Sequence, residues 1–264
     1  MIARFFRFLC IVVAVVATVH GAPADEPVRR TWTIDGVTRE ALVYLPPHVA
    51  QGGAPLVFVF HGHGGTMGHA ARTMAIHQQW PEAIVIYPQG LPTPGAITDP
   101  QGREPGWQSN VGKQGDRDLK FFDAVLADLI HLYHPDEKRI YSTGHSNGGA
   151  FTYLLWAERG DKFAAMAPSA AVLGRGVQKL KPKPVLHLGS PSDPLVKFSW
   201  QEQMIDHLLK LNGCPPRKPA ATGYTLYPSP AGNDVALYLH DGGHKYPDAA
   251  PELIVKFFKA HPGH

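Results

Sequence analysis

Apolar strand-like runs alternating with amphipathic helical stretches predict an α/β fold with a mostly parallel central sheet flanked by helices on both faces. Three observations carry that reading. Residues 55–60 (PLVFVF) are apolar without interruption, as a strand covered on both faces must be. The same signature returns at 83–87 (AIVIY), 139–142 (RIYS), 163–167 (FAAMA), 185–188 (VLHL) and 235–239 (VALYL). Between two of these runs, residues 118–133 place Phe121, Phe122, Val125, Leu126, Leu129 and Ile130 at helical spacing, a stripe that needs a sheet to cover it.

At the N-terminal end, Arg4 and Arg7 precede an apolar run over 8–19, and small residues follow. This order predicts a secretory signal peptide over 1–21, with a cut at 24 as the second choice. The run is too short for a span, which takes roughly 20 residues, so no stable membrane anchor is expected. The chain then becomes a secreted or periplasmic protein with one catalytic domain over 22–264. That length suits a single core rather than two. Removing Arg4 and Arg7 lowers the formal charge from +3 to +1, and Cys10 leaves too, so Cys214 has no partner for an internal disulfide.

The remaining elements follow in order. Strands at 31–34 and 40–45 flank Asp35-Gly36, a strong hairpin signal. Residues 89–115 then break the rhythm with 27 residues rich in Gly and Pro and no period. Structureless segments of that length in a compact domain are uncommon and often functional. Asp116 or Asp118 is the expected N-cap of the 118–133 helix. Further helices are expected at 148–157, 200–211 and 251–260. The basic stretch 175–183 (RGVQKLKPK) reads as a solvated loop, and no concentrated basic face points to nucleic acid.

The chemistry centres on Gly144-His145-Ser146-Asn147-Gly148, a G-x-S-x-G between a predicted strand and a predicted helix. Such a turn lifts a serine hydroxyl above the sheet edge and aims a helix N-terminus at developing negative charge. A hydroxyl needs a base, and the base needs a carboxylate to orient it. In this fold the order is Ser, acid, His. His244, after two glycines in the loop between the last strand and last helix, is the candidate base; His240 ends the strand. Asp193, in the loop after residues 185–188, is the candidate acid ahead of Asp206, Asp234 and Asp241. The oxyanion hole is assigned to the backbone amides of Asn147 and of His63 in the loop His61-Gly62-His63-Gly64-Gly65-Thr66. Trp107 in the long segment is the candidate substrate-facing aromatic, with anchoring against the core as the other reading. His61, His63 and His69 lack a second ligand cluster, so no metal is expected, and the chemistry calls for no cofactor.

With His61-Gly62 and Gly64-Gly65-Thr66, the motifs Tyr87-Pro88-Gln89-Gly90, Trp107, Asp118, Tyr141 to Gly149 (YSTGHSNGG), Asn212-Gly213-Cys214 and Gly242-Gly243-His244 recur in an order that resembles the secreted polyhydroxybutyrate depolymerase-like esterases, which shade into feruloyl and acetylxylan esterases. The resemblance covers nearly all of residues 22–264. It implies an α/β-hydrolase fold and a Ser146-Asp193-His244 triad that hydrolyses hydroxyalkanoate, feruloyl or acetyl-polysaccharide esters through an acyl-enzyme. Many relatives pair the Asn-Gly-Cys cysteine, and Cys214 departs from them. The rival readings are a serine peptidase or amidase of the same fold and an inactive binding protein. The expected partner is an ester substrate, polymeric or polysaccharide-linked, and the oligomeric state stays open.

Overall fold

The computed structural model describes residues 26–95, 97–218 and 220–263. The expected signal peptide and Cys10 lie outside the described residues. A hairpin of β1 (Val28–Ile34) and β2 (Val37–Tyr44) opens the fold, and both Asp35 (φ 49°) and Gly36 (φ 79°) adopt the positive φ that a tight two-residue turn demands. The fully buried β3 (Leu56–Phe60) and β4 (Ile84–Pro88) follow, then β7 (Ile140–His145), β8 (Ala165–Ser169), β9 (Val185–Gly189) and β11 (Val235–Leu239). With β10 (Gly223–Tyr227) they form a nine-stranded sheet in the order β1-β2-β4-β3-β7-β8-β9-β11-β10. The block from β4 to β11 is parallel, while β2 and β10 run antiparallel to it and β1 pairs antiparallel with β2 at the outer edge.

Period-two alternation explains why the central strands are apolar on both sides. Leu56, Phe58 and Phe60 belong to one buried layer, and Val57 and Val59 belong to the other. The first layer is closed by α3 (Arg117–Tyr133), α4 (Asn147–Arg159) and α5 (Phe198–Leu211). The second is closed by α1 (Met67–Met74), α2 (Ile76–Gln79) and α6 (Ala250–Ala260). α1 is absent from the sequence reading; it starts because Thr66 is extended and its Oγ1 accepts the His69 N–H at 3.1 Å. β10 also escapes it. This edge strand leaves Tyr224 and Leu226 exposed and so lacks a buried run.

The expected cap of α3 is corrected. Asp116 occupies the N-cap position but with φ 59° and no side-chain capping bond, because its carboxylate accepts from Gln108 Nε2 and Gly112 N–H. Asp118 lies inside the helix, fully buried, and receives Arg39 Nη2 at 2.8 Å and the Gln108 N–H at 2.8 Å. The Arg39 guanidinium lies over Phe121 and also donates to the carbonyls of Arg117 and Gln89. The pair thus ties β2 and the start of α3 to Gln89 and Gln108 of the long segment.

A buried charge without its partner is strongly destabilising, far more than replacement of the whole pair. Arg39→Met is expected to cost about 3–5 kcal/mol, read as a lowered urea midpoint, because the Asp118 carboxylate is left without its counter-charge.

Candidate active site

Ser146 sits between β7 and α4 with φ 56° and ψ −119°, a conformation that costs energy for any residue with a side chain. Close packing holds it there. A Cβ on Gly148 would lie 2.2 Å from the Phe60 carbonyl oxygen, so only glycine lets α4 descend onto the end of β3. The Ser146 N–H donates to the Ser169 carbonyl at the end of β8, which fixes the turn from the other side.

The expected serine, histidine and carboxylate come together, although 98 and 51 residues separate His244 from the other two. His244 Nδ1 is 2.8 Å and 3.0 Å from the two Asp193 oxygens, which can only accept when ionised, so Nδ1 carries the proton. Nε2 is then the acceptor for the Ser146 hydroxyl at 2.8 Å. The Asp193 side chain is fully buried, and its Oδ1 accepts the Leu195 and Val196 N–H groups at 2.8 and 2.9 Å. The two loops are stitched to each other, since Gly243 N–H donates to Ser190 Oγ and Ser192 Oγ donates to the Asp241 carbonyl. His240 turns inward, and its Nδ1 accepts the Gly242 N–H. Asp206 pairs with Arg217 and Asp234 with His261, so neither reaches the site.

The glycine-rich loop after β3 passes directly over the serine: a Cβ on Gly62 would be 3.6 Å from that of Ser146. Gly90 N–H donates to His61 Nε2 at 2.9 Å, so Nδ1 bears the proton and donates to the Gly62 carbonyl at 2.7 Å. This ring locks the loop. The His63 ring is held by Asp99 through Nε2 at 3.1 Å and lies against Gly95 and Gly106 of the long segment. The Gly64 N–H donates to the Pro105 carbonyl. Beside the loop runs a cleft of about 780 Å³, walled by residues 61–66, α1, His145 and Tyr246. A second hollow of about 600 Å³ opens at the other edge of the sheet, near Lys183 and His261, away from Ser146. Among the described residues no three His, Cys, Asp or Glu side chains gather to hold a metal ion.

The long segment does flank the site, but not as expected. It carries a small hairpin of β5 (Leu91–Pro92) and β6 (Pro105–Gly106), and Asn147 grips the next residue with both ends of its amide. Oδ1 accepts the Trp107 N–H at 2.7 Å, and Nδ2 donates to the Trp107 carbonyl at 3.1 Å. The substrate-facing role for the Trp107 ring is therefore corrected. The ring is 1% exposed, stacks on Phe151, meets Phe60 edge-on and donates Nε1–H to the His61 carbonyl at 2.9 Å. Burying this large apolar ring and satisfying its one donor outweighs presenting it to solvent. It anchors the loop.

His145, inside the motif but without an expected role, also emerges. Its Nε2–H donates to the His244 carbonyl at 3.0 Å and its Nδ1 accepts from Ser169 Oγ at 3.1 Å, so it steadies the loop of the candidate base. Burial, reinforced by His244, lowers its pKa to about 4, and burial lowers those of His61 and His187 to about 4 as well.

The chain is similar to several known proteins. The model of the prolyl oligopeptidase family matches residues 100–209. The chain is 26% identical over 196 residues to a bifunctional acetylxylan esterase/xylanase of Neocallimastix patriciarum, covering 72% of this chain and only 26% of that protein. It is 27% identical over 230 residues to feruloyl esterase D of Neurospora crassa, covering 81% of this chain and 76% of the relative. The structure of an acetyl xylan esterase from Aspergillus awamori superposes with a TM-score of 0.64 at 14% identity, over 88% of this chain and 99% of the other. The fold is that of the α/β-hydrolases, and the chain is similar to feruloyl and acetylxylan esterases. The hydrolase spans about a quarter of the first of these relatives and most of the second.

Two outcomes are expected of this hydrolase. Trp107→Ala should lower the melting temperature, at a cost of about 3–5 kcal/mol, and reduce turnover of an aromatic ester and a short acetyl ester by similar factors. Acid should also weaken the fold. The three histidines keep pKa values of about 4 when folded against 6.5 as ordinary groups. The unfolded chain therefore binds more protons between these values, and stability falls as pH drops from 6.5 towards 4. Urea midpoints at pH 7, 6, 5 and 4 check this, and His187→Gln should flatten the slope.

Proposed function

We propose that this carboxylic ester hydrolase is exported and cleaves feruloyl or acetyl-polysaccharide esters through an acyl-enzyme on Ser146. The observation that carries the reading is the Ser146 hydroxyl, on its strained turn, 2.8 Å from a His244 ring whose other nitrogen is committed to Asp193. Ser146 Oγ attacks the ester carbonyl carbon as its proton passes to His244 Nε2. The bond to the alcohol then breaks, and His244 returns the proton to the departing oxygen. Water, activated by the same nitrogen, hydrolyses the acyl-enzyme and frees the acid and the serine. The buried Asp193 carboxylate stabilises the imidazolium that forms twice in the cycle. The backbone amides of Asn147, at the first position of α4, and of His63 receive the oxyanion. The relatives' substrates and the open cleft beside the His61–Thr66 loop favour an extended, polysaccharide-linked alcohol over a small one.

A peptidase reading draws on the prolyl oligopeptidase model matched over 100–209. Matched ester and amide substrates separate the two, with ester hydrolysis expected to dominate. Ser146→Ala is expected to lower kcat by at least about a thousandfold with the melting temperature unchanged. A fluorophosphonate probe should label Ser146 in the wild type. Labelling at another serine, or near-normal turnover by the alanine variant, would overturn the assignment.

A further inference from the structure

Beneath the site lies a buried histidine for which the proposed chemistry has no use. His187, in the middle of β9, is fully buried and bonded through both ring nitrogens. The hydrogen positions around it can be worked out from acceptors that have no alternative. Gln201 on α5, also fully buried, lies 2.7 Å from the Val196 carbonyl through its Nε2, and a carbonyl only accepts. The amide NH₂ therefore points at Val196 and at Asp193 Oδ2, 3.4 Å away, while Oε1 points at His187. Oε1 in turn accepts the proton of His187 Nε2 at 3.1 Å. With one nitrogen protonated and the ring neutral, Nδ1 accepts from the Tyr153 hydroxyl at 2.7 Å. A single directed chain runs from Tyr153 on α4 through His187 and Gln201 to the carboxylate beside His244.

A second, independent feature locks the same amide. Gly189 ends β9 with no need for a positive φ, yet a Cβ there would lie 2.4 Å from Gln201 Oε1. The glycine leaves the space that the amide oxygen occupies. The Gln201 amide is thus held on three sides, by Val196, His187 and the bare edge of Gly189, and its remaining proton is directed at Asp193.

We propose that Gln201, oriented by His187 and Tyr153, is a positioning residue that fixes the Asp193 carboxylate toward His244. Asp193 Oδ1 is already held by two backbone amides, whereas Oδ2, the closer oxygen to His244, has Gln201 as its other donor. Without that donor the carboxylate rotates about its own axis and the imidazole loses its aim at Ser146. A small misalignment of the base costs rate rather than affinity, because Gln201 is fully buried and reaches the site only through Asp193.

The inference rests on the Ser146, His244 and Asp193 reading, and the test separates their failures. The rate of Ser146 labelling by a fluorophosphonate, and kcat and KM on an acetyl ester, are measured for wild type, Gln201→Met, Gly189→Ala, His187→Leu and His187→Gln. Gly189→Ala matters most. Its new methyl would lie 2.4 Å from Gln201 Oε1 and in ordinary contact, 3.4 Å, with His187 Nε2. None of its close neighbours is backbone, so the displacement falls on the end of the Gln201 side chain; a melting curve checks that the variant is folded. Gln201→Met and Gly189→Ala should each lower kcat and the labelling rate by about tenfold with KM within about twofold. His187→Leu should do the same. His187→Gln, which can still donate to Oε1 and accept from Tyr153, should recover most of the loss. Wild-type turnover in folded Gly189→Ala, or equal losses in the leucine and glutamine variants, would overturn the proposal. Absence of Ser146 labelling in the wild type would instead overturn the triad reading.

Discussion

Everything at the candidate site depends on how closely α4 can approach the end of the sheet. The strand-to-helix turn at Ser146 is held at φ 56°, a conformation the chain would abandon if the surroundings allowed another. They do not, because the Gly148 backbone presses on the Phe60 and His61 carbonyls and the Ser146 N–H is taken by Ser169. β3, β7 and β8 are all fully or almost fully buried, so the energy of a large apolar core stands behind a single strained residue. The same close approach brings the loop after β3 over the serine and sets Asn147 facing the long segment.

Around that turn, three buried histidines follow the rule that a buried hydrogen-bonding group is matched. His61, His145 and His187 are each bonded through both nitrogens, each neutral, and each committed to shaping a loop or a neighbour. Burial sets their charge state in the same way at all three positions. His244 differs in that one nitrogen faces a carboxylate and the other a hydroxyl. Partners, rather than residue type, distinguish the candidate base from a strut here.

Two networks frame the site from below and from the side. Below, the Tyr153 to Asp193 chain connects α4, β9 and α5 through one continuous set of donors and acceptors. At the side, Arg39 and Asp118 hold Gln89 and Gln108 of the long segment, and Asn147 holds Trp107. A segment without secondary structure over most of its length still has a defined course, because its backbone groups are taken by β2, the glycine-rich loop and α3. Cys214 needs no disulfide; it is half-buried under β10 and donates to the Tyr227 carbonyl.

Much of this was legible in the sequence where the relevant physics is local. Uninterrupted apolar runs marked the central strands, helical spacing marked α3, α4, α5 and α6, and Asp35-Gly36 marked the hairpin, since each depends on residues a few positions apart. The order of Ser146, Asp193 and His244 along the chain was readable because loops after successive parallel strands gather at one sheet edge. The edge strand β10 and the short α1 were not, since neither carries a long buried stripe. The tertiary structure alone decided the direction of the Trp107 ring, the seat of Asp116, and the tasks of His145, His187 and Gln201. Several of these depend on a partner far away in the chain, such as Tyr153 for His187 at 34 residues or Asn147 for Trp107 at 40, while Asp116 and Gln201 depend on nearby residues that only the folded loops turn towards them. Burial and hydrogen-bond matching act on neighbours in space, and only the folded chain determines who those neighbours are.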